Sequence, residues 1–126
     1  LTFKVACYSF SVNMDKSIYL PGETAVMSGK IIDACSNGNW LYNAWMMGKF
    51  GGSGWKQLFV FYWDTASGYW FGNPSGYISG PVEKTPGNYN AIAQAEVFGI
   101  FSEYIKIPYK VVATSCDLPW GGTINS

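Results

Sequence analysis

The stretch WKQLFVFYW, from Trp55 to Trp63, decides the fold class. Its nearly continuous apolar run has the length of one strand, which is typical of a central strand buried on both faces, with Trp55 and Trp63 in the core. On either side, short segments rich in Val, Ile, Tyr, Phe and Trp alternate with clusters of Gly, Pro, Asn and Ser, and helical periodicity is nearly absent. The sequence therefore predicts an all-β antiparallel sandwich.

Length and composition indicate one domain. The chain has 126 residues, which suffices for one hydrophobic core and leaves no room for a second domain. We expect a single domain over residues 1–126 that ends in a polar tail at residues 115–126. Because 18% of the residues are aromatic and 13% are charged, much aromatic area must be buried, part of it between molecules.

The charged residues argue against two classes of function. Eight lysines balance eight acidic residues, and the chain has neither Arg nor His. Arg forks onto phosphates and guanine edges, so we do not expect nucleic-acid binding. His is the commonest proton shuttle and metal ligand, so we expect no enzyme, no cofactor and no metal site.

Acidic residues are the remaining candidates for chemistry. A carboxylate pair of the glycosidase kind could come from Asp64, Glu96 and Glu103, and a calcium site from Asp15, Asp33 and Asp117. These residues lie at strand ends and in turns, where solvated or turn-forming acids are the ordinary expectation. We favour that ordinary interpretation.

The cysteines and the hydropathy suggest an extracellular protein. Cys7, Cys35 and Cys116 lie far apart, which predicts one disulfide and one remaining thiol. The start of the first strand and the end of the second lie at the same pole of a sandwich, so we prefer the pair Cys7–Cys35, with Cys116 free or intermolecular. No apolar run reaches the roughly 20 residues of a membrane helix, and the chain opens with Leu1 rather than Met. We expect a secreted, cell-surface protein without membrane insertion.

Further strands follow from local patterns. Ala25 to Ile32 predicts a strand, and two short strands should flank the turn at Asn73 and Pro74. In a further predicted strand, Tyr89, Ala91, Ala93 and Ala95 share one face. The small alanine side chains should let the opposing sheet approach this face closely. Pro108 lacks a backbone donor, which places the last strand at an edge or gives it a bulge.

The amino-terminal segment changes its alternation. Apolar residues occupy the odd positions Leu1, Phe3 and Val5, and then the even positions Tyr8, Phe10 and Val12. Because a one-residue slip moves every side chain to the other face of a strand, the change indicates either a bulge or two strands that meet near Cys7.

Two segments resemble a known class of module. DKSIYLPGETAVMSGKI, at residues 15–31, resembles the opening of immunoglobulin-like and macroglobulin-like modules of secreted and cell-surface proteins. TPGNYNAIAQAEV, at residues 85–97, is similar to the penultimate strand of the same modules. The resemblance implies an immunoglobulin-like sandwich, an architecture that serves adhesins, stalks, pilus subunits and enzyme appendages alike.

Our first functional hypothesis is self-assembly. Residues 1–6 could complete the sheet of a neighbour, with Leu1, Phe3 and Val5 in a groove that the last strand (residues 103–113) and its sheet partner line. A head-to-tail contact of this kind does not close and gives a homopolymer, such as a pilus or another surface filament. A bulged first strand within one domain explains the alternation equally well.

The alternative hypothesis is a monomeric carbohydrate-binding or adhesive module. Its sugar platform would use four tryptophans in loop-rich sequence, namely Trp40, Trp45, Trp70 and Trp120, with a polysaccharide as partner. Tryptophans that cover sheet edges or a subunit contact are the commoner case. We favour the filament because low charge, high aromatic content and Gly-rich loops occur together without active-site chemistry.

Overall fold

The computed structural model describes residues 1–114 except positions 7, 34–43, 53, 65, 68, 73 and 98, with backbone alone at 33, 62–64 and 69–71. The described residues form two packed sheets, which confirms the predicted all-β class. No described helix has the length and hydropathy that a membrane span requires. The strands are β1 (Thr2–Val5), β2 (Tyr8–Met14), β3 (Ile18–Tyr19), β4 (Thr24–Asp33), β5 (Ala44–Lys49), β6 (Lys56–Asp64), β7 (Tyr69–Gly72), β8 (Ser75–Pro81), β9 (Gly87–Val97), β10 (Ile100–Phe101) and β11 (Ile105–Val111).

The strands divide into a smaller and a larger sheet. The smaller sheet has the order β1-β2-β4-β8, and the larger has β3-β11-β9-β5-β6-β7 with β10 beside β9. Described neighbours pair antiparallel except β3 and β11, which are parallel. The chain crosses from the smaller to the larger sheet between β2 and β3, within residues 15–17.

The change of alternation near residue 7 is a reversal of the chain. β1 and β2 are separate antiparallel strands, in which Phe3 lies opposite Phe10 and Val5 opposite Tyr8. Directly opposed residues share a face of the sheet, so odd positions of β1 and even positions of β2 both point inward. Of the two explanations that the sequence left open, the structure therefore has two strands that meet near residue 7.

Small residues let the sheets approach each other. Ala91, Ala93 and Ala95 of β9 are buried on the inner face, as predicted, and Tyr89 is half-buried on the same face. Two glycines form a reciprocal fit between β4 and β5. A Cβ at Gly29 would collide with the Met46 side chain, and a Cβ at Gly48 with that of Met27. Each methionine thus fills the space above the other strand's glycine.

The stretch at residues 55–63 is a strand, but it is not buried on both faces. β6 is the second strand from one edge of the larger sheet, and β7 covers only its second half, Phe61 to Asp64. Trp55 precedes the strand and is 36% exposed, so its predicted core position is wrong. The side chain of Trp63 lies outside the described residues. A shift of register opposite Met46 and Met47 turns the consecutive residues Leu58 and Phe59 inward, which lengthens the apolar run without a second buried face.

Other expectations are confirmed, and several fall outside the described residues. The strand predicted at residues 25–32 lies within β4, and β7 and β8 flank Pro74 but belong to different sheets. On the side away from β9, the described residues pair with β11 only at Lys110 and Val111, so Pro108 has no described strand partner on that side. Cys7, Cys35, Cys116 and the tail at residues 115–126 lie outside the described residues, and the Cys7–Cys35 disulfide stays a prediction.

The crossing from β7 to β8 supplies a test of sheet packing. A Cβ at Gly76 would overlap the Leu58 carbonyl oxygen, a backbone atom that cannot rotate away, whereas a Cβ at Gly52 meets nothing within 4 Å. We expect Gly76→Ala to lower the free energy of unfolding by about 2 kcal/mol, the range of overpacking effects, and Gly52→Ala to change it little. Urea unfolding of both variants measures this, and equal effects would contradict the close packing of β8 on β6.

Candidate functional site

The candidate site is the edge of the smaller sheet that β1 forms. β1 pairs with β2 on one side and has no described partner on the other. Val5 is almost fully buried, Phe3 is half-buried, and Leu1 is 55% exposed. Phe3 stacks on the fully buried Phe10 at 5.4 Å between ring centroids. β1 therefore covers core residues although it hydrogen-bonds to a single strand.

The connection from β1 to β2 carries backbone strain. Ala6 has a φ of 53°, and it is the only non-glycine residue with a positive φ in the described part of the chain. The left-handed conformation costs a residue with a Cβ about 1–2 kcal/mol. Two-residue hairpin connections require positive φ and favour Asn and Gly for that reason. The hairpin that holds β1 on its own domain thus has an unfavourable residue at its turn.

The rim beside β1 is only partly closed. β1 contacts β9 of the opposite sheet, and β11 lies next to β9. Ile105 and Ile107 of β11 lie opposite the buried Ala93 and Ala91, so they point inward, yet both are only half-buried. Removal of β1 would expose Phe10 on one side of this rim, with Ile105 and Ile107 on the other. These residues define the β1 groove.

The segment at residues 15–31, which resembles immunoglobulin-like modules, forms a polar corner where the chain passes from the smaller sheet to the larger. The Tyr19 hydroxyl donates to Asp15 Oδ1 at 2.6 Å and accepts from the Lys16 N–H at 3.1 Å. Asp15 also accepts from the Val26 N–H at 3.0 Å. Glu23 forms an ion pair with Lys16 and accepts from the Leu20 N–H at 2.9 Å. The corner is structural, because its acidic groups are bound by donors of the chain itself.

The electrostatics of the corner follow from these contacts. Burial raises the pKa of Asp15, but the hydrogen bonds from Tyr19 and Val26 outweigh it, so the pKa lies below its ordinary value. The hydrogen bond from Lys16 chiefly lowers the pKa of Glu23. Burial, and then the hydrogen bond to Asp15, raise the pKa of Tyr19 well above its ordinary value.

The segment at residues 85–97, which resembles the same modules, contributes Tyr89 to a cluster of tyrosines. The Tyr89 hydroxyl donates back to the Thr85 carbonyl oxygen at 2.6 Å. Its ring stacks on Tyr109 at 5.8 Å, and Tyr109 meets Tyr19 edge-on at 5.7 Å. The Tyr109 hydroxyl donates to Glu83 Oε1 at 2.6 Å. Burial, and then the bond to Glu83, raise the pKa of Tyr109 well above its ordinary value.

Of the four tryptophans predicted for a sugar platform, one has a described side chain. Trp45 is half-buried, its indole N–H donates to Glu96 Oε1 at 2.7 Å, and its ring meets Phe101 edge-on at 6.3 Å. The backbone of Trp70 lies in β7. Trp40 and Trp120 fall outside the described residues, so the sugar platform of four tryptophans stays a prediction.

The structure describes only some of the candidate acidic side chains. Glu96 is engaged with Trp45, and Glu103 is exposed. Asp64 and Asp33 are described by backbone alone, in β6 and β4, and Asp117 is outside the described residues. Among the described residues, no three His, Cys, Asp or Glu side chains lie close enough together to hold a metal ion.

The sequence indicated the last strand as a wall of the groove, and the alternation of Ile105 and Ile107 with Tyr104 and Lys106 marks the face of that strand that points inward. It did not indicate the strained residue Ala6, because nothing in an alanine predicts a left-handed turn. No protein-family model matches the chain, and no curated protein is significantly similar to it in sequence.

The raised pKa values of Tyr19 and Tyr109 predict a loss of stability in alkali. A raised folded-state pKa contributes stability that is fully present below the pKa of the unfolded chain, about 10 for tyrosine, and that is lost as the pH rises further. Tyr19→Phe should lower the free energy of unfolding by about 1 kcal/mol at pH 7 and should flatten its decline above about pH 10.

Tyr77→Phe is the matched control, because that side chain is 70% exposed. Urea unfolding at several pH values compares the two variants with the parent chain. Parallel alkaline declines for Tyr19→Phe and the parent would contradict the assignment of the shifted pKa to Tyr19.

Proposed function

We propose that the chain is an extracellular structural subunit that polymerises by exchanging β1 between copies. The observation that carries the proposal is the left-handed Ala6, which joins an edge strand to the sheet that the strand completes. In the exchanged state, β1 of one subunit occupies the β1 groove of the next. The partner of the protein is then a second copy of itself.

The finer fold in this proposal is immunoglobulin-like. In that fold one sheet contains strands A, B and E and the other contains G, F and C. The orders β2-β4-β8 and β11-β9-β5 support this assignment. Tyr89 supports it further, because a tyrosine near the start of strand F that bonds back to the upstream backbone is a hallmark of such domains.

The energetics of exchange rest on what changes and what does not. A donated β1 makes the same ladder and buries the same side chains as β1 in its own domain, so most interaction energy cancels. The difference that remains in favour of exchange is relief of the Ala6 strain, about 1–2 kcal/mol. Exchange is opposed by the loss of the chain's own β1 as a partner, because a strand on a short connection has an effective concentration in the millimolar range. Exchange is therefore favoured at high local concentration, as at the surface of a secreting cell.

The geometry of donation determines the kind of assembly. Each subunit donates one β1 and accepts another, at separate places, so the contact is heterologous. Heterologous contacts that do not close into a ring propagate as a filament. Unpaired β1 grooves occur only at the filament ends, which limits the exposed strand edge that promotes aggregation.

A structural role also accounts for how the acidic residues are used. Asp15 and Glu23 secure the corner between sheets, and Glu96 binds an indole N–H. We propose no catalytic role for them. The low charge and high aromatic content of the chain suit a protein that buries surface between subunits.

Removal of residues 1–6 tests the proposal directly. The truncated chain should not polymerise, and it should bind a synthetic LTFKVA peptide, because burial of each large apolar side chain contributes roughly 1.5–3 kcal/mol before entropy. A peptide with Ser in place of Phe3 and Val5 is the control and should not bind. Size-exclusion chromatography and fluorescence anisotropy report the two results. A full-length chain that remains monomeric at high concentration with intact termini would overturn the proposal.

Ala6→Gly tests the hinge separately. Glycine adopts the left-handed conformation without the Cβ penalty, so the closed subunit should gain stability. The concentration needed for polymerisation should then rise by about fivefold or more, the equivalent of 1 kcal/mol. Ala113→Gly, at an exposed position with an ordinary φ, is the matched control. An unchanged threshold for Ala6→Gly would contradict a role for hinge strain.

A further inference from the structure

The outer face of the larger sheet differs from that of the smaller one. On the smaller sheet the outward positions are mostly Ser, Asn, Thr and Lys, such as Asn13, Ser28 and Lys30. On the larger sheet six apolar side chains gather on the outside, a set that we term the aromatic face: Trp45, Met47, Trp55, Ile92, Phe101 and Tyr104. A sheet face that remains in water is ordinarily polar, so the aromatic face is a candidate for contact with another surface.

The aromatic face is organised by contacts among its own members. Trp55 packs against Tyr104 with 5.7 Å between ring centroids, and Lys49 Nζ lies 5.0 Å from the Trp55 ring. Phe101 and Tyr104 nevertheless remain 55% and 59% exposed. These two rings are thus positioned within the subunit and still offer more than half of their surface to a partner.

Charges of opposite sign lie at the two ends of the aromatic face. Glu96 lies between Trp45 and Phe101 at one end. At the other end, Lys49 and Lys106 both lie opposite Ile92. Glu96 lies four positions after Ile92 in β9, so the two ends are roughly 13 Å apart along the strand. Among the described residues Lys16 and Glu23 form an ion pair, whereas Glu96, Lys49 and Lys106 form none with one another or with other described residues.

We infer that the aromatic face binds the same face of a second copy across a two-fold axis near Gln94. Such an axis brings Glu96 of each copy opposite Lys49 and Lys106 of the other, and it brings the Trp45 and Phe101 rings at one end of each copy over the Trp55 end of the other. A two-fold contact requires a surface that is complementary to itself, and the separated charges supply this complementarity. The contact is distinct from β1 exchange, and in a filament it would join subunits laterally rather than along the chain of donated strands.

Zero-length cross-linking detects the contact whether or not strands are exchanged. A mixture of unlabelled and ¹⁵N-labelled full-length chain, treated with a carbodiimide, should give mixed-label peptides that join Lys49 or Lys106 to Glu96. Within one chain the strand separation is too long for such a link. If the full-length chain gives these cross-links but forms no polymers, the result counts against β1 exchange alone. If it forms polymers without these cross-links, the two-fold contact alone is overturned.

Charge reversal provides the second readout. Lys106→Glu and Glu96→Lys should each weaken the two-fold association by about tenfold, a 1.4 kcal/mol change, as analytical ultracentrifugation measures it independently of the cross-linked groups. The double variant should recover much of the association, because its reversed charges again face each other. Lys30→Glu makes the same change in charge on the opposite sheet and should have no effect. Absence of recovery in the double variant would refute the two-fold arrangement.

Apolar variants distinguish a protein partner from a polysaccharide. Phe101→Ser and Tyr104→Ser should weaken association, whereas Tyr77→Ser, at the exposed aromatic of the smaller sheet, should not. Both altered residues are more than half exposed, so the fold should persist, as circular dichroism can verify. Saturable binding of a glycan that these two changes abolish, in the absence of mixed-label cross-links, would assign the aromatic face to a sugar and overturn our inference.

Discussion

The close approach of the two sheets is the constraint on which the other features depend. Gly29 and Gly48 receive the methionine side chains of the opposite sheet, and three alanines of β9 keep the inner surface low. Because the gap is narrow and filled, an edge strand such as β1 can cover core residues while it pairs with a single neighbour. The same narrowness makes its groove specific, since a donated strand must present side chains of the right volume in the right register.

The corner built by Asp15, Tyr19 and Glu23 has a different part in the structure. It moves the chain from one sheet to the other in a few residues, and it secures the backbone N–H groups that such a crossing leaves without ladder partners. The segment that resembles immunoglobulin-like modules is therefore explained by backbone geometry. Its polar side chains are engaged with the chain itself, which leaves β1 and the outer face of the larger sheet as the surfaces that can contact another molecule.

Several elements could be predicted from the sequence because their signal is local. The change of alternation near residue 7 requires a reversal or a bulge, the alanines of β9 mark an inner face, and Pro108 marks a side of β11 without a described strand partner. The stretch at residues 55–63 gave a wrong prediction, because Leu58 and Phe59 both point inward at a bulge, and two consecutive buried apolar residues resemble a strand that is buried on both faces. The φ of Ala6 and the exposure of Trp55 depend on how distant strands pack, so no residue pattern encodes them. The aromatic face likewise emerges only when β5, β9, β10 and the residues that precede β6 and β11 are brought side by side.

The parallel pairing of β3 with β11 has a mechanical consequence. The backbone hydrogen bonds that join these segments include those from the Lys110 N–H to the Ser17 carbonyl oxygen and from the Val112 N–H to that of Tyr19, each 2.9 Å long. In a chain of exchanged strands, tension would enter each subunit through β1 and β2 and leave through the groove beside β11. The short parallel pair of β3 and β11 connects the segment that follows β2 to the larger sheet, on which the force would leave the subunit. Its bonds would be sheared together rather than unzipped in turn, so a two-residue strand can resist force out of proportion to its length.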